Sequence, residues 1–395
     1  MKKILFVIGA ASMVLAACNK TPGAENVPVG KSAQLTITLT KSAPSTKAET
    51  EAGTDDESKI NKIDIFVFNS TGDLDAYDQF NSYVPTDKPK VDCTTGPGKV
   101  VYCIVNGEWL KSDLASTIST EADLKARVFS LNKNCSFSGE TPSARDNFEM
   151  VGYNTKDFVP GANDISVSVK RAVARVRLQK ITRKFSSSAL ADGELKVKDI
   201  YMSNVVGSYG LDGTVKSGAD NLWYNKYAYD NTTPHVPYPG YINIDAGMNL
   251  WLHNTPATPV TIAQNASATD AIASVFYVMP NQAAYDSVDG GTAAWAPRRT
   301  KLVIEVEYTP VGGTAKTYYY TIPVCEQDTY PEITTAASYK GLNANVTYNI
   351  TELELTRLGS TNPDEPVVAA DVTVTIEVLP WDIYNLETTS GKYVI

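Results

Sequence analysis

Cys18 is the residue whose setting specifies a chemistry most directly. It closes the run Leu15-Ala16-Ala17-Cys18, behind Lys2, Lys3 and an apolar stretch over residues 4–15. That stretch is too short to cross a bilayer as a helix, and small residues precede the thiol. The pattern is that of a bacterial lipoprotein signal over residues 1–18. The chemistry it specifies is diacylglyceryl transfer to the Cys18 sulfur, cleavage of the bond before Cys18, and acylation of the freed amine. An ordinary secretory leader with an incidental cysteine is the alternative. One acyl chain binds a membrane reversibly, whereas several together anchor stably.

The other reactive side chains form no site. Cys93, Cys103, Cys135 and Cys325 lack zinc or redox spacing. Cys93 and Cys103 flank Thr94-Thr95-Gly96-Pro97-Gly98. This turn could bring them together on paired strands as a disulfide, and buried free thiols are the other reading. His235 and His253 are the chain's two histidines, and no nucleophile elbow, P-loop or H-E-x-x-H run occurs. Asp73, Asp75 and Asp78 lack the glycine and glutamate of a calcium loop and read as a solvated hairpin end. We therefore expect no enzyme, no catalytic residue, no metal site and no cofactor. Aromatic residues are dense from Trp223 through Tyr224, Tyr227, Tyr229, Tyr238 and Tyr241 to Trp251. Exposed together they could stack on sugar rings; packing within β-structure is the plainer reading.

The elements that must hold these residues are strands. Tyrosine outnumbers phenylalanine 22 to 10 in a chain of 395 residues that is 43% hydrophobic and 20% charged, a composition suited to half-buried strands. The length is two domains' worth. A formal charge of −9 argues against nucleic acid, which is held chiefly by Lys and Arg on phosphate. Residues 35–39 alternate apolar and polar, with Leu35, Ile37 and Leu39 on one face. Residues 41–58 then contain no large apolar side chain, which predicts a long exposed connection where proteolysis concentrates. Strands follow over 60–69, 99–105, 301–308, 317–324, 346–355 and 372–378. Thr120 with Asp123 makes a capping-box signal, and Leu124, Val128 and Leu131 behind it predict a helix. Alternation over 164–181 changes phase at Lys170 and Arg171, which predicts two strands or a bulge and a domain boundary there.

Several segments together resemble the fimbrillin family, the major fimbrial subunits that form the shafts of type V pili in Bacteroidota. Glu57-Ser58-Lys59-Ile60-Asn61-Lys62-Ile63 running into Phe66-Val67-Phe68-Asn69 resembles the family's first strand after its processing loop. Lys170-Arg171-Ala172-Val173-Ala174-Arg175-Val176 resembles the basic strand at the domain junction, and Asn362-Pro363-Asp364-Glu365-Pro366 with the strand behind it and Trp381 resembles the C-terminal region.

The resemblance implies an all-β chain of two transthyretin-like, Greek-key β-sandwich domains with one or two short helices. It divides the sequence into a leader (1–18), a tether and removable first strand (19–47), an N-terminal domain (48–170) and a C-terminal domain (171–395). It implies a lipidated precursor at the cell outer membrane and a trypsin-like protease acting on the basic residue after the first strand. Here that site is Lys47 with Ala48, with lysine where better-known members carry arginine; Lys41 is a weaker candidate. Loss of Leu35, Ile37 and Leu39 would open a groove for a strand of an identical or related pilin, giving a head-to-tail fimbrium on the cell surface that supports adhesion to host or bacterial receptors. Burial of those three side chains contributes about 5–9 kcal/mol at most. The donor material would come from residues 381–395, with Trp381, Ile383, Tyr384, Leu386, Tyr393 and Val394, while 372–378 stays in its own domain. An anchor or tip subunit of the same pilus, or a monomeric glycan-binding surface lipoprotein, is the competing expectation.

Overall fold

The computed structural model describes residues 27–40, 57, 59–82, 88–131, 148–213, 223–224, 241–242, 252–281, 299–324, 341–363, 365, 367 and 372–380. The leader with Cys18, the Lys47–Ala48 pair, Cys135, Cys325, His235 and the tail from Trp381 lie outside these residues.

The chain is mostly strand. Its first half supplies β1 (Ser32–Thr40), β2 (Lys62–Phe68), β3 (Leu74–Asn81), β4 (Lys90–Thr94), β5 (Gly96–Val105), β6 (Val128–Ser130), β7 (Met150–Phe158), β8 (Gly161–Ser168) and β9 (Lys170–Arg171), with short helices α1 (Lys111–Thr117) and α2 (Glu121–Lys125). These strands build a three-stranded sheet in the order β4-β1-β8 and a five-stranded sheet in the order β3-β2-β5-β7-β9. In β2 every residue but Lys62 is buried, so this strand is covered on both faces. Phe66 stacks on Tyr77 of β3 with ring centres 4.5 Å apart.

The second half adds β10 (Ala174–Leu178), β11 (Ile181–Arg183), α3 (Ser188–Ala191), β12 (Glu194–Ser203), β13 (Val205–Val206), β14 (Ser208–Gly210), β15 (Trp223–Tyr224), β16 (Tyr241–Ile242), β17 (His253–Asn254), β18 (Val260–Thr261), β19 (Ser267–Ala268), β20 (Ser274–Val278), β21 (Lys301–Thr309), β22 (Lys316–Pro323), β23 (Val346–Leu355) and β24 (Val372–Pro380). One sheet runs β19-β11-β23-β10-β20, with β24 on the other edge of β23, and a second runs β17-β12-β21-β22 with β18 beside β12. Strand β23 accepts β10 and β11 in parallel, one after the other, along a single edge. Buried side chains from both halves join in one apolar core.

The phase change at Lys170–Arg171 has a topological cause. Within residues 161–178 the chain leaves the β1 sheet with β8, touches the five-stranded sheet with β9, and enters the β23 sheet with β10. Two sequence expectations are corrected. The capping box at Thr120 and Asp123 is formed, but the helix behind it is only five residues long. Val128 and Phe129 are good strand formers, and their segment pairs with Ser208–Gly210 in preference to a second helical turn. The segment from Thr94 to Gly98 is not a hairpin turn either. Thr95 alone separates β4 from β5, which lie in different sheets, and Gly98 sits at φ +60° inside an irregularity between Gly96 and Lys99.

Candidate assembly groove

Strand β1 lies in the middle of its sheet. It runs antiparallel to β4 over Ser32–Thr36 and parallel to β8 over Ala33–Thr40, with Leu35 opposite Val91 on one side and Asn163 on the other. The ladder toward β4 is extended by Ile37 N–H donating to the Pro89 carbonyl at 3.0 Å and by Thr95 N–H donating to the Lys31 carbonyl at 2.8 Å. Alternation puts Ala33, Leu35, Ile37 and Leu39 in the core, with Leu35 fully buried and Leu39 only 2% exposed. Taking β1 away would leave a slot about 10 Å wide, two strand spacings, between β4 and β8. Its floor would include Val91, Cys93, Ile165 and Val167, all buried in the intact chain.

Among the described residues, β4 and β8 each have β1 as their only ladder partner. What fixes each wall otherwise is side-chain chemistry reaching across from the five-stranded sheet. For β4 the anchor is Thr94, whose N–H and hydroxyl donate to the Asp75 carboxylate at 2.8 and 2.6 Å. Lys99, 1% exposed, donates through Nζ to Asp75 at 2.9 Å, to Asn69 Oδ1 at 2.5 Å and to Thr94 Oγ1 at 3.0 Å. Burial by itself would raise the Asp75 carboxyl, but the bonds from Thr94 and Lys99 outweigh it and hold the group below its ordinary value. For β8 the struts come from β7. Asn154 Nδ2 donates to the Ser166 carbonyl at 2.7 Å and Lys156 Nζ to the Asp164 carbonyl at 2.6 Å. Asn163 closes the β7–β8 turn by bonding Val159 N–H and the carbonyls of Val159 and Gly161. Gly152 lets the chain come close here, since a Cβ at that position would lie 2.0 Å from the Ser168 carbonyl oxygen.

The structure brings Leu35, Ile37 and Leu39 together as the sequence predicts, on one buried face. It corrects the disulfide reading: Cys93 and Cys103 are both buried free thiols. They stand on strands of different sheets, and no hairpin joins them. Burial pushes the Cys93 thiol up to about 11, with the Asp75 charge adding to it, and raises Cys103 as well. Asp75 departs from the solvated hairpin end that the sequence suggests, its side chain being only 7% exposed. Asp75 is the β4 anchor, and Asp78 pairs with Lys111 at 2.5 Å. Sequence reasoning passed over Lys99, Asn154 and Lys156, because a single polar residue in a strand carries no periodic signal. His253 serves locally, its Nδ1 lying 3.1 Å from Thr255 Oγ1. Among the described residues no helix is long and apolar enough to cross a membrane.

Solved proteins from Bacteroidota share this all-β fold. A candidate cell adhesion protein from Bacteroides eggerthii is 22% identical, with a TM-score of 0.60 over 91% of this chain and 98% of that one. Another from Parabacteroides distasonis is 16% identical, with a TM-score of 0.61 over 90% and 100%. A fimbrilin, FimA, from Porphyromonas gingivalis is 17% identical, with a TM-score of 0.54 over 89% and 98%. The fold is thus that of the fimbrilins. Residues 33–170, which hold β1 through the start of β9, match the family model of the major fimbrial subunit protein, FimA. The sequence match is confined to this segment, while the likeness in fold extends along nearly all of the chain. No curated protein matches the chain.

Proposed function

We propose that the protein is a structural pilin, a shaft subunit of a type V pilus, exported as a lipoprotein on Cys18 and polymerised by donor-strand exchange. The observation that carries this reading is the place of β1: an interior strand whose ladder partners are remote in sequence, followed by the basic site Lys47–Ala48 before the next strand. Hydrolysis of that peptide bond by a trypsin-like protease would cut the covalent tie between β1 and the body. The lipid and the strand would then leave together. The opened slot presents both apolar pockets and unsatisfied backbone groups, and a strand from the next subunit satisfies both. Because the contact is heterologous and does not close, it propagates as a fibre.

Residues 381–395 are the proposed donor, with Trp381, Ile383, Tyr384, Leu386, Tyr393 and Val394 supplying apolar side chains, while β24 stays paired with β23 through nine register partners. The product would be a surface fimbrium that supports adhesion. Light trypsin digestion of the folded precursor tests the reading. Cutting at Lys47 should yield SDS-resistant ladders, and deleting residues 381–395 should abolish them while leaving a folded monomer. A clean cut at Lys47 with no ladder contradicts the proposal. An anchor would instead keep its lipid and β1, so acyl label retained on the surface form would favour that role.

A further inference from the structure

Glu57 stands at the downstream end of the processing connection, and it is 1% exposed. Its carboxylate accepts from Arg175 Nη1 at 2.9 Å and from the Tyr277 hydroxyl, and its backbone carbonyl accepts from Arg171 Nε at 2.9 Å. Arg171 and Arg175 belong to the junction strands β9 and β10, and Tyr277 to β20. The cluster is backed by Asn345, whose Oδ1 accepts from Arg171 N–H at 3.3 Å, by Thr347 under Arg175 Nε at 3.0 Å, and by Phe148, whose ring lies 4.7 Å from that of Tyr277.

The pinning continues along the chain. Asn106, held at φ +56°, donates to the Lys59 carbonyl at 2.9 Å and accepts from the N–H groups of Asn61 and Lys62 at 2.8 and 3.2 Å. Lys62 Nζ also donates to the Trp109 carbonyl at 2.8 Å. Lys59 itself has an exposed side chain. A trypsin-like enzyme can therefore reach the charge at Lys59, but it must also draw several residues of backbone into an extended conformation around the scissile bond. Here that backbone is bonded on both sides, so cutting requires local opening, and its rate follows the population of the opened form.

We propose that the Glu57 cluster is the downstream stop of processing: it protects the Lys59–Ile60 and Lys62–Ile63 bonds, confines cleavage to the connection before it, and holds the shortened chain's new end at the junction of the two halves. The inference rests on the reading of a processed precursor. Glu57 acts as a positioning residue, through the backbone it fixes. The protection matters here because a cut at Lys62 would sever the first residue of β2, a strand buried at every residue but Lys62.

The test is a time course of trypsin on the full-length folded protein, with new N-termini identified by mass spectrometry, for wild type, Glu57→Ala, Glu57→Gln and Tyr277→Phe. In wild type, termini at Ile60 and Ile63 should appear at least tenfold more slowly than any terminus between Ser42 and Asp56. In Glu57→Ala they should appear at least tenfold faster than in wild type, with Tyr277→Phe and Glu57→Gln in between and well folded by circular dichroism. Leu353→Ala, a core change in β23, should leave the Lys59 rate within about twofold of wild type. Equal Lys59 rates in wild type and in the three junction variants overturn the proposal, as does the same acceleration by Leu353→Ala. The Lys47 rate is read separately: its absence refutes the processing reading, while the Lys59 comparison still decides the stop.

Discussion

Strands β1 and β24 are both nine residues long, and both bury alternate apolar side chains, Leu35, Ile37 and Leu39 in β1 and Val372 and Val374 in β24, yet the chain attaches them in opposite ways. Strand β24 lies on one edge of β23, the strand before it in sequence, in an antiparallel ladder from Val346↔Pro380 to Leu355↔Val372. Strand β1 has ladder partners on both edges, and neither β4 nor β8 is its neighbour in sequence. Losing β24 would bare one sheet edge. Losing β1 splits a sheet down its middle and bares two edges that face each other. A two-sided slot specifies its replacement by backbone and by pockets together, and under the proposed assembly that singles out β1, and not β24, as the strand whose loss would drive it.

The largest expected effect follows from truncating β1. Leu35→Ala and Ile37→Ala should each cost about 2–5 kcal/mol and should speed loss of the β1 peptide after cleavage, seen as earlier ladder formation. Val374→Ala in β24, 7% exposed in wild type, should cost about 1–2 kcal/mol at ~0.8 per methyl-sized group and leave peptide release unchanged. Similar effects on release from both strands would erase the contrast.

Lys99→Met is expected to cost about as much in the intact chain. It leaves the Asp75 carboxylate buried beside Thr94 without its cation, and removing one partner of a buried pair costs about 3–5 kcal/mol. The carboxyl is held below its ordinary value, so its contribution is fully present above the unfolded value of about 4 and disappears as pH falls through the lower folded value. Denaturation curves should therefore show the advantage of wild type over Asp75→Asn constant at neutral pH and shrinking below about pH 4. Asp64 in β2 provides the opposite sign, because burial raises it despite bonds from Gln79, Lys62 and Tyr77. Stability linked to Asp64 is greatest below its ordinary value and declines as pH rises toward the raised one. Asp64→Asn should lose that decline.

The smallest effect belongs to the β8 struts. Asn154→Ala should cost about 0.5–1.5 kcal/mol in the intact chain, where β1 also holds β8. In the cut chain the same change should widen hydrogen exchange over residues 161–168, since the wall has lost its ladder. No difference between the intact and cut chains would mean that β7 does not brace the groove.

Much of this architecture could be read from sequence where a single strand carries its own signature. The alternation of Leu35, Ile37 and Leu39 and the run from Val346 to Leu355 are examples, and the latter matches β23 end for end. Pairing was not legible. The parallel contact of β1 with β8, and the choice of β14 by Val128–Ser130, join residues whose local patterns contain no trace of each other. The wall anchors and the Glu57 cluster are hidden for the same reason. Asp75 looks like one of several hairpin aspartates, and Glu57 like one acid in an acidic stretch, until folding brings Lys99 and Arg175 against them.

The central claim is that β1 is delivered with the precursor and then removed. N-terminal sequencing of the protein taken from fimbriae on cells tests it most directly. The account predicts Ala48 as the first residue, with β1 absent. A mature chain that begins at Cys18, carrying its lipid and β1, would contradict it.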